Sequence, residues 1–256
     1  MRQDVRFGQI LQRLNESGSV GVTELAAELG VSEASVRRDL RRLEEQNLLT
    51  RTHGGAVASG VLYELPMRYR GGQHHEAKRA IAAAAAALVT PETSSVGLNG
   101  GTTTTEVARA LSGRPGLRVV TNALNIASEL AVRSTIELVV CGGSARPESY
   151  ELVGPLAEQT LAHLNLDIAF IGVDGISPTA GLTTHHEVEA QTNRALARTA
   201  DRVVVVADSS KLGKRGFARI SDLSLASELI TDTGADPDIV DALHNAGLPV
   251  LLVEPA

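Results

Sequence analysis

Cysteine, lysine and long apolar runs are scarce in this 256-residue chain. Its one cysteine, Cys141, excludes an internal disulfide and suits a reducing cytosol. No apolar run approaches bilayer-spanning length, since the alanine-rich segment 80–89 is short and weakly hydrophobic, so no membrane partner is expected. The first residues contain no apolar stretch of signal-peptide type, and a cytoplasmic location is the expectation. Lysine occurs only at Lys78, Lys211 and Lys214, against 21 arginines. No G-x-G-x-x-G fingerprint and no Walker lysine is found, which removes the standard dinucleotide and P-loop readings. His185-His186 with Glu189 has no companion His or Cys set at ligand spacing, and His74-His75 simply precede a helix. Neither a metal nor a cofactor is expected.

The first fifty-seven residues hold the clearest pattern. A helix from about Asp4 to Ser17 carries Ile10, Leu11 and Leu14, and Gly18 ends it. Thr23 is expected to cap a second helix, Glu24 to Leu29, whose apolar side is Leu25, Ala26 and Leu29 and which Gly30 closes. Ser32 then caps a third, in which Val36, Leu40 and Leu43 form one buried stripe. That stripe sends Ser35, Arg37, Arg38, Arg41 and Arg42 to other faces. Leu48 to Thr52 reads as a strand, and the His53-Gly54-Gly55 turn folds it back into a β-wing. An arginine-rich helix standing alone reads as a solvated face. Helix, turn, helix and wing together read as a winged helix-turn-helix for duplex DNA, because guanidinium groups fork onto guanine edges and phosphates. The candidate DNA-binding residues are Thr23, Ser32, Glu33, Ser35, Arg37, Arg38, Arg41, Arg42, Arg51, His53, Gly54 and Gly55.

Charge qualifies this reading. Residues 1–56 carry eight arginines and eight acids, so the net charge of −6 belongs to the rest of the chain. DNA affinity must come from local positive charge, and five of those arginines fall between 37 and 51.

Residues 1–57 are therefore taken as the DNA-binding domain, 58–72 as a connection interrupted by Gly60, Pro66 and Gly71-Gly72, and 73–256 as a larger α/β domain. Strands are expected at 93–98, 118–121, 136–141, 167–173, 202–207, 229–231 and 250–253. Helices are expected at 76–88, 103–111, 123–131, 155–164, 187–199 and 238–246. Ile136 to Val140 and Val203 to Val206 show no alternation, as strands buried on both faces of a parallel sheet would. In such sheets ligands sit beyond the carboxyl ends of strands, and several polar clusters fall there. Asn99-Gly100-Gly101-Thr102-Thr103-Thr104 joins a strand to a helix, which suits a phosphate. The candidate effector-binding residues are Gly100, Gly101, Thr102, Thr103, Thr104, Asn122, Gly142, Gly143, Arg146, Asp174, Asn193 and Lys211. Asp174 is suited to sugar hydroxyls and Lys211 to a phosphate.

The chain resembles the DeoR/GlpR family of bacterial transcriptional regulators. The phrases Val22 to Ala26, Val31-Ser32, Val36 to Leu40, Leu43-Glu44 and His53 to Ala56 carry the resemblance in the head. Leu98 to Thr104, Val120 to Asn122, Cys141 to Gly143, Leu152 to Gly154, Gly172 to Gly175, Gly181 to Thr184, Asn193-Arg194 and Ala207 to Lys211 carry it in the larger domain. The resemblance implies an effector domain similar in fold to ribose-5-phosphate isomerase and a regulator, expected to be a repressor of a sugar or carbon-metabolism operon, that answers to a phosphorylated sugar or related metabolite. A homodimer or homotetramer on an operator is expected, because a single head reads few base pairs and two heads combine their affinities. Asn99-Gly100-Gly101 departs from the Asp-Ser-Gly of many relatives. The rival class is a sugar-phosphate isomerase-like enzyme fused to a DNA-binding domain, with Asp174 and Lys211 in the chemistry. That isomerase's glycine-rich, lysine-bearing loop and its downstream catalytic Glu have no evident match here, so no catalytic residue is expected.

Overall fold

The computed structural model of the chain describes residues 3–58, 66–70 and 72–255, in two compact units, Met1–Gln73 and His74–Ala256. In the first unit α1 (Gln3–Ser17) buries Phe7, Ile10, Leu11 and Leu14, the spacing of one apolar helix face. Gly18 ends it in the left-handed region, at φ 73°. The strand β1 (Ser19–Gly21) leads directly into α2 (Val22–Leu29). Thr23 is not the cap of α2: Gly21 holds that position, which puts Thr23 inside the first turn. Ser32 does cap α3 (Glu33–Glu45), its hydroxyl accepting from the Ser35 N–H at 3.3 Å.

The strands β2 (Thr50–Arg51) and β3 (Gly55–Val57) make the wing, shorter than its sequence suggests. The antiparallel order is β1-β3-β2, with β1 an unexpected partner. A Cβ at Gly55 would stand 1.8 Å from the Val20 carbonyl oxygen, so the approach of β3 to β1 requires glycine there.

Of the expected connection, residues 59–65 and 71, including Gly60 and Gly71, lie outside the described residues. Its other end is structured: α4 (Met67–Arg70) packs on α1 and lies within the first unit. The Tyr69 ring lies 5.7 Å from that of Phe7, and its hydroxyl donates to Gln46 Oε1. Gly8 makes room, since a Cβ there would be 2.3 Å from the Tyr69 carbonyl oxygen.

The second unit begins with α5 (His75–Ala87), β4 (Ser95–Leu98), α6 (Thr102–Leu111), β5 (Arg118–Thr121), α7 (Leu124–Leu130) and β6 (Glu137–Val140). A small hairpin follows, β7 (Ser144–Ala145) with β8 (Leu152–Val153), then α8 (Pro155–Leu161) and β9 (Leu166–Ile171). The chain continues through β10 (Gly175–Ser177), β11 (Gly181–Thr184), α9 (Glu187–Arg198), β12 (Ala200–Val206), β13 (Ala218–Ser221), β14 (Glu228–Asp232), α10 (Pro237–Asn245) and β15 (Val250–Val253). Seven strands form a parallel sheet in the order β15-β14-β12-β9-β4-β5-β6. Apolar clusters cover both faces: Ile81, Leu98, Val107, Ile126 and Phe170 belong to one, Leu161, Ile171, Leu196 and Val203 to another. Val203 to Val206 are fully covered, as their lack of alternation predicts. The same expectation fails for β6, which is an edge strand with Glu137 and Val140 exposed.

The sheet is built outward from its middle. From β4 the chain steps through β5 to β6 on one side, and from β9 through β12 and β14 to β15 on the other. The carboxyl ends of β4 and β9 thus flank the topological switch point, where a crevice opens in such sheets.

Candidate functional site

In the head, α3 carries Arg37, Arg38, Arg41 and Arg42 on its exposed surface. They are not equivalent. Arg37 pairs with Glu33 at 2.9 Å, one turn earlier, and Glu33 also accepts from the Thr23 hydroxyl at 2.9 Å. Arg42 is drawn toward α1, donating to Gln3 Oε1 at 2.7 Å. Arg51 in the wing is held at 3.0 Å by Glu44. Among the described residues Arg38 and Arg41 have no ion-pair partner, so they are the guanidinium groups most available to a polyanion. His53 and Gly54 are exposed at the wing tip, whereas Gly55 is buried and presents no surface. Ser32 and Ser35 are taken up with the cap, their hydroxyls 3.0 Å apart. Asp39 was not foreseen. It lies fully buried on α3 and receives Arg6 Nη2 at 3.0 Å and Gln3 Nε2 at 3.2 Å, which fixes α3 against α1.

In the second unit, Asn99 braces the switch point. Its amide donates to the Gly172 carbonyl at 3.0 Å and its Oδ1 accepts from the Gly172 N–H at 2.8 Å, tying the end of β4 to that of β9. Gly101, at φ 144°, precedes α6, whose leading N–H groups receive no side-chain cap. Unfilled donors at a positive dipole end suit an anion, and Thr102 and Thr103 stand on that first turn. Thr104 does not line it. Its side chain is fully buried and donates to the Gly101 carbonyl at 3.1 Å, as Thr105 does at 2.6 Å, so both shape the turn from within.

Four other expected residues, Arg146, Asp174, Asn193 and Lys211, converge beside this loop and its Gly100. The Gly100 N–H donates to Glu151 Oε1 at 2.6 Å. Glu151 is wholly buried among Glu189, Asp174 and Asn193. Glu189 pairs with Arg146, and Thr184 bridges Glu189 and Asp174, with its oxygen 3.3 and 2.9 Å from them. Asp174 faces His185 Nε2 at 3.8 Å and Lys211 Nζ at 3.9 Å. The remaining expected residues are structural or apart. Asn122 is buried and anchors β8 through the Leu152 carbonyl at 3.2 Å. Gly143 packs on β8, where a Cβ would meet the Val153 carbonyl oxygen at 2.7 Å, and Gly142 is exposed with nothing near its Cβ direction.

Burial, reinforced by Glu189 and Asp174, pushes the Glu151 carboxyl well above the usual carboxylate range, against the pull of the Gly100 N–H and Asn193. Asp208, at the end of β12, goes the other way. Its burial works to raise it, but Lys78, the Ser210 hydrogen bond and Lys211 outweigh that and hold it low. Lys78 is itself buried on α5, 3.5 Å from Asp208. The scarcity of lysine pointed to Lys211 and applied equally to Lys78. Glu151, Glu189 and His185 gave no comparable signal, since the histidine pair reads as a helix start, a role that His186 alone fills by accepting from the Val188 N–H at 3.3 Å. Cys141 is the buried thiol expected, pushed up by burial to about 11.

Two family models cover these two units. The DeoR-like helix-turn-helix domain matches residues 6–59, and the DeoR C terminal sensor domain matches residues 73–233. The chain belongs to the DeoR family. The HTH-type transcriptional regulator GlpR of Haloferax volcanii is 37% identical over 96% of this chain and 96% of its own. The glycerol-3-phosphate regulon repressor of Escherichia coli (strain K12) is 30% identical over 95% and 96%, and the HTH-type transcriptional repressor CsqR of the same strain 31% over 96% and 94%. Among solved structures, ribose 5-phosphate isomerase A from Methanocaldococcus jannaschii matches over 54% of this chain and 55% of its own, with 22% identity and a TM-score of 0.41. The full-length sorbitol operon regulator SorC from Klebsiella pneumoniae matches over 99% and 97%, with 15% identity and a TM-score of 0.38. This DeoR-family protein is a DNA-binding transcriptional regulator and not an enzyme. Among the described residues, no helix is long and apolar enough to cross a membrane.

Proposed function

We propose that this protein represses a sugar or carbon-metabolism operon, that its winged head holds double-stranded operator DNA through Arg38 and Arg41, and that its crevice takes a phosphorylated sugar or a related metabolite. The observation that carries the effector reading is the uncapped start of α6 beside Arg146, Asp174, Asn193 and Lys211 at the sheet's switch point. A phosphate suits the N–H groups of Gly101 to Thr103, which need no countercharge to hold an anion. The hydroxyls of a sugar suit Asp174 and its neighbours. A homodimer or homotetramer places two heads on one operator, and their affinities then combine.

Effector and DNA communicate by population shift, each acting only through its different affinity for the two states of the protein. The test is a mobility-shift titration on the DNA upstream of the regulator's own gene, repeated with a panel of phosphorylated sugars and with glycerol 3-phosphate. One compound is expected to change operator affinity. Thr103→Ala combined with Lys211→Ala is expected to bind DNA normally and to ignore that compound. A normal calorimetric titration of the double variant with it would remove this crevice as the effector site.

A further inference from the structure

Two side chains in the crevice have buried oxygens with nothing to bond. Glu151 Oε2 and Asn193 Oδ1 are shielded from solvent, and neither has a hydrogen-bond partner, although both residues are almost completely buried. Buried polar atoms in native proteins are nearly always satisfied, and a pair of orphans in one cleft marks the place of a missing partner. The other Glu151 oxygen is already spent on the Gly100 N–H, so the carboxyl is held in place with one oxygen in reserve. The loop also makes room for it. A Cβ on Gly100 would stand 2.4 Å from Glu151 Cγ, so this carboxyl requires glycine at that position.

We propose that Glu151 is a specificity-determining residue of the crevice, its Oε2 completing a hydrogen bond with a hydroxyl or carbonyl oxygen of the effector immediately beside the loop that anchors the phosphate. This rests on the effector reading given above. The carboxyl acts in its neutral form, as donor. It is wholly buried, and the charges that face it are Glu189 from α9 and Asp174 from the turn after β9, both of which oppose its ionisation. Arg146 is committed to Glu189, and Lys211 and His185 face Asp174, so among these groups no cation is left for Glu151. A neutral acid beside a phosphate adds no repulsion, whereas a carboxylate there would oppose the anion. Effector affinity must then fall as pH rises through the Glu151 titration.

The experiment compares wild-type protein with Glu151→Gln and Glu151→Leu by calorimetry, using inorganic phosphate and the panel of phosphorylated sugars. Glutamine keeps a donor and an acceptor without charge; leucine keeps neither. The sugar phosphate that binds the wild type is expected to lose about tenfold or more in affinity to Glu151→Leu, the scale of one unmet hydrogen bond in a closed site. Glu151→Gln is expected to stay within about threefold at acidic pH and to show a flatter pH profile than the wild type. The phosphate of the ligand titrates identically in both, so the difference between profiles isolates Glu151. At acidic pH, where Glu151 is neutral, inorganic phosphate is expected to bind all three proteins alike. Unchanged sugar-phosphate binding by Glu151→Leu, or identical pH profiles for wild type and Glu151→Gln, overturns the role of Glu151 and leaves the phosphate crevice standing. Failure of every probe to bind the wild type defeats both readings. The wild-type profile against that of the near-isosteric Gln variant keeps the test valid if Glu151→Leu fails to fold.

Discussion

Gly100 and Glu151 compete for the same few cubic ångströms: besides the contact with Cγ, a Cβ on Gly100 would lie 2.6 Å from Glu151 Oε1. Gly100→Ala is therefore expected to destabilise the second unit by about 1–3 kcal/mol, the usual cost of forcing an extra carbon into a packed site. Glu151→Ala alone also costs stability, because it opens a cavity and leaves the Gly100 N–H without its 2.6 Å partner. Combined, the two changes should cost less than their sum, since the new methyl occupies space the Glu151 side chain has vacated. Urea denaturation of the four proteins in a double-mutant cycle measures this. Strict additivity would mean that the loop relaxes independently of Glu151. The same reasoning separates Thr104 from Thr102 and Thr103, which the sequence presents as one run. Only the fold, by turning Thr104 inward onto the Gly101 carbonyl, distinguishes them.

At the scale of elements, α3 is a helix whose four exposed arginines do different work. Arg38→Ala is expected to weaken operator binding by about 1–3 kcal/mol, the loss of one bidentate contact, with the fold intact. Arg42→Ala should weaken it less, because its guanidinium is already directed to Gln3 at 2.7 Å on α1. Equal losses in a mobility-shift titration, checked by circular dichroism, would show that the Arg42 contact gives way to DNA. This helix was legible because Val36, Leu40 and Leu43 repeat with the helical period and Ser32 supplies a cap. Asp39 was not, since a buried acid in that stripe makes sense only once Arg6, thirty-three residues earlier, is seen beside it. The long strands and helices of the second unit were legible for the same reason as α3. Hairpins such as β7–β8 and β10–β11 were missed because two to four residues cannot display a period of two. Glu151 belongs with them. Its meaning comes from a hydrogen bond across fifty-one residues of sequence, which no local pattern records.

For the whole molecule, the question is how a chain of net charge −6 holds a polyanion. Among the described residues of the head, local ion pairs commit four arginines: Arg6 is held by Asp39, Arg13 by Glu28, Arg37 by Glu33 and Arg51 by Glu44. If these pairs persist on DNA, each head neutralises about two to four phosphates, and operator affinity should fall with salt at a slope of about −2 to −4 per head in log–log form. If the exposed pairs open instead, the slope steepens toward about −6. Glu33→Gln distinguishes the two cases, because it releases Arg37 without removing it, and at 63% exposure that side chain is free to turn toward a phosphate. With the pairs intact in the wild-type complex, the variant should bind more tightly at low salt and steepen the slope by about one unit per head. Fluorescence anisotropy across a salt series reads both quantities. An unchanged slope in Glu33→Gln would mean that Arg37 already reaches DNA in the wild type, and the exposed pairs of the free head would then be contacts that the operator replaces.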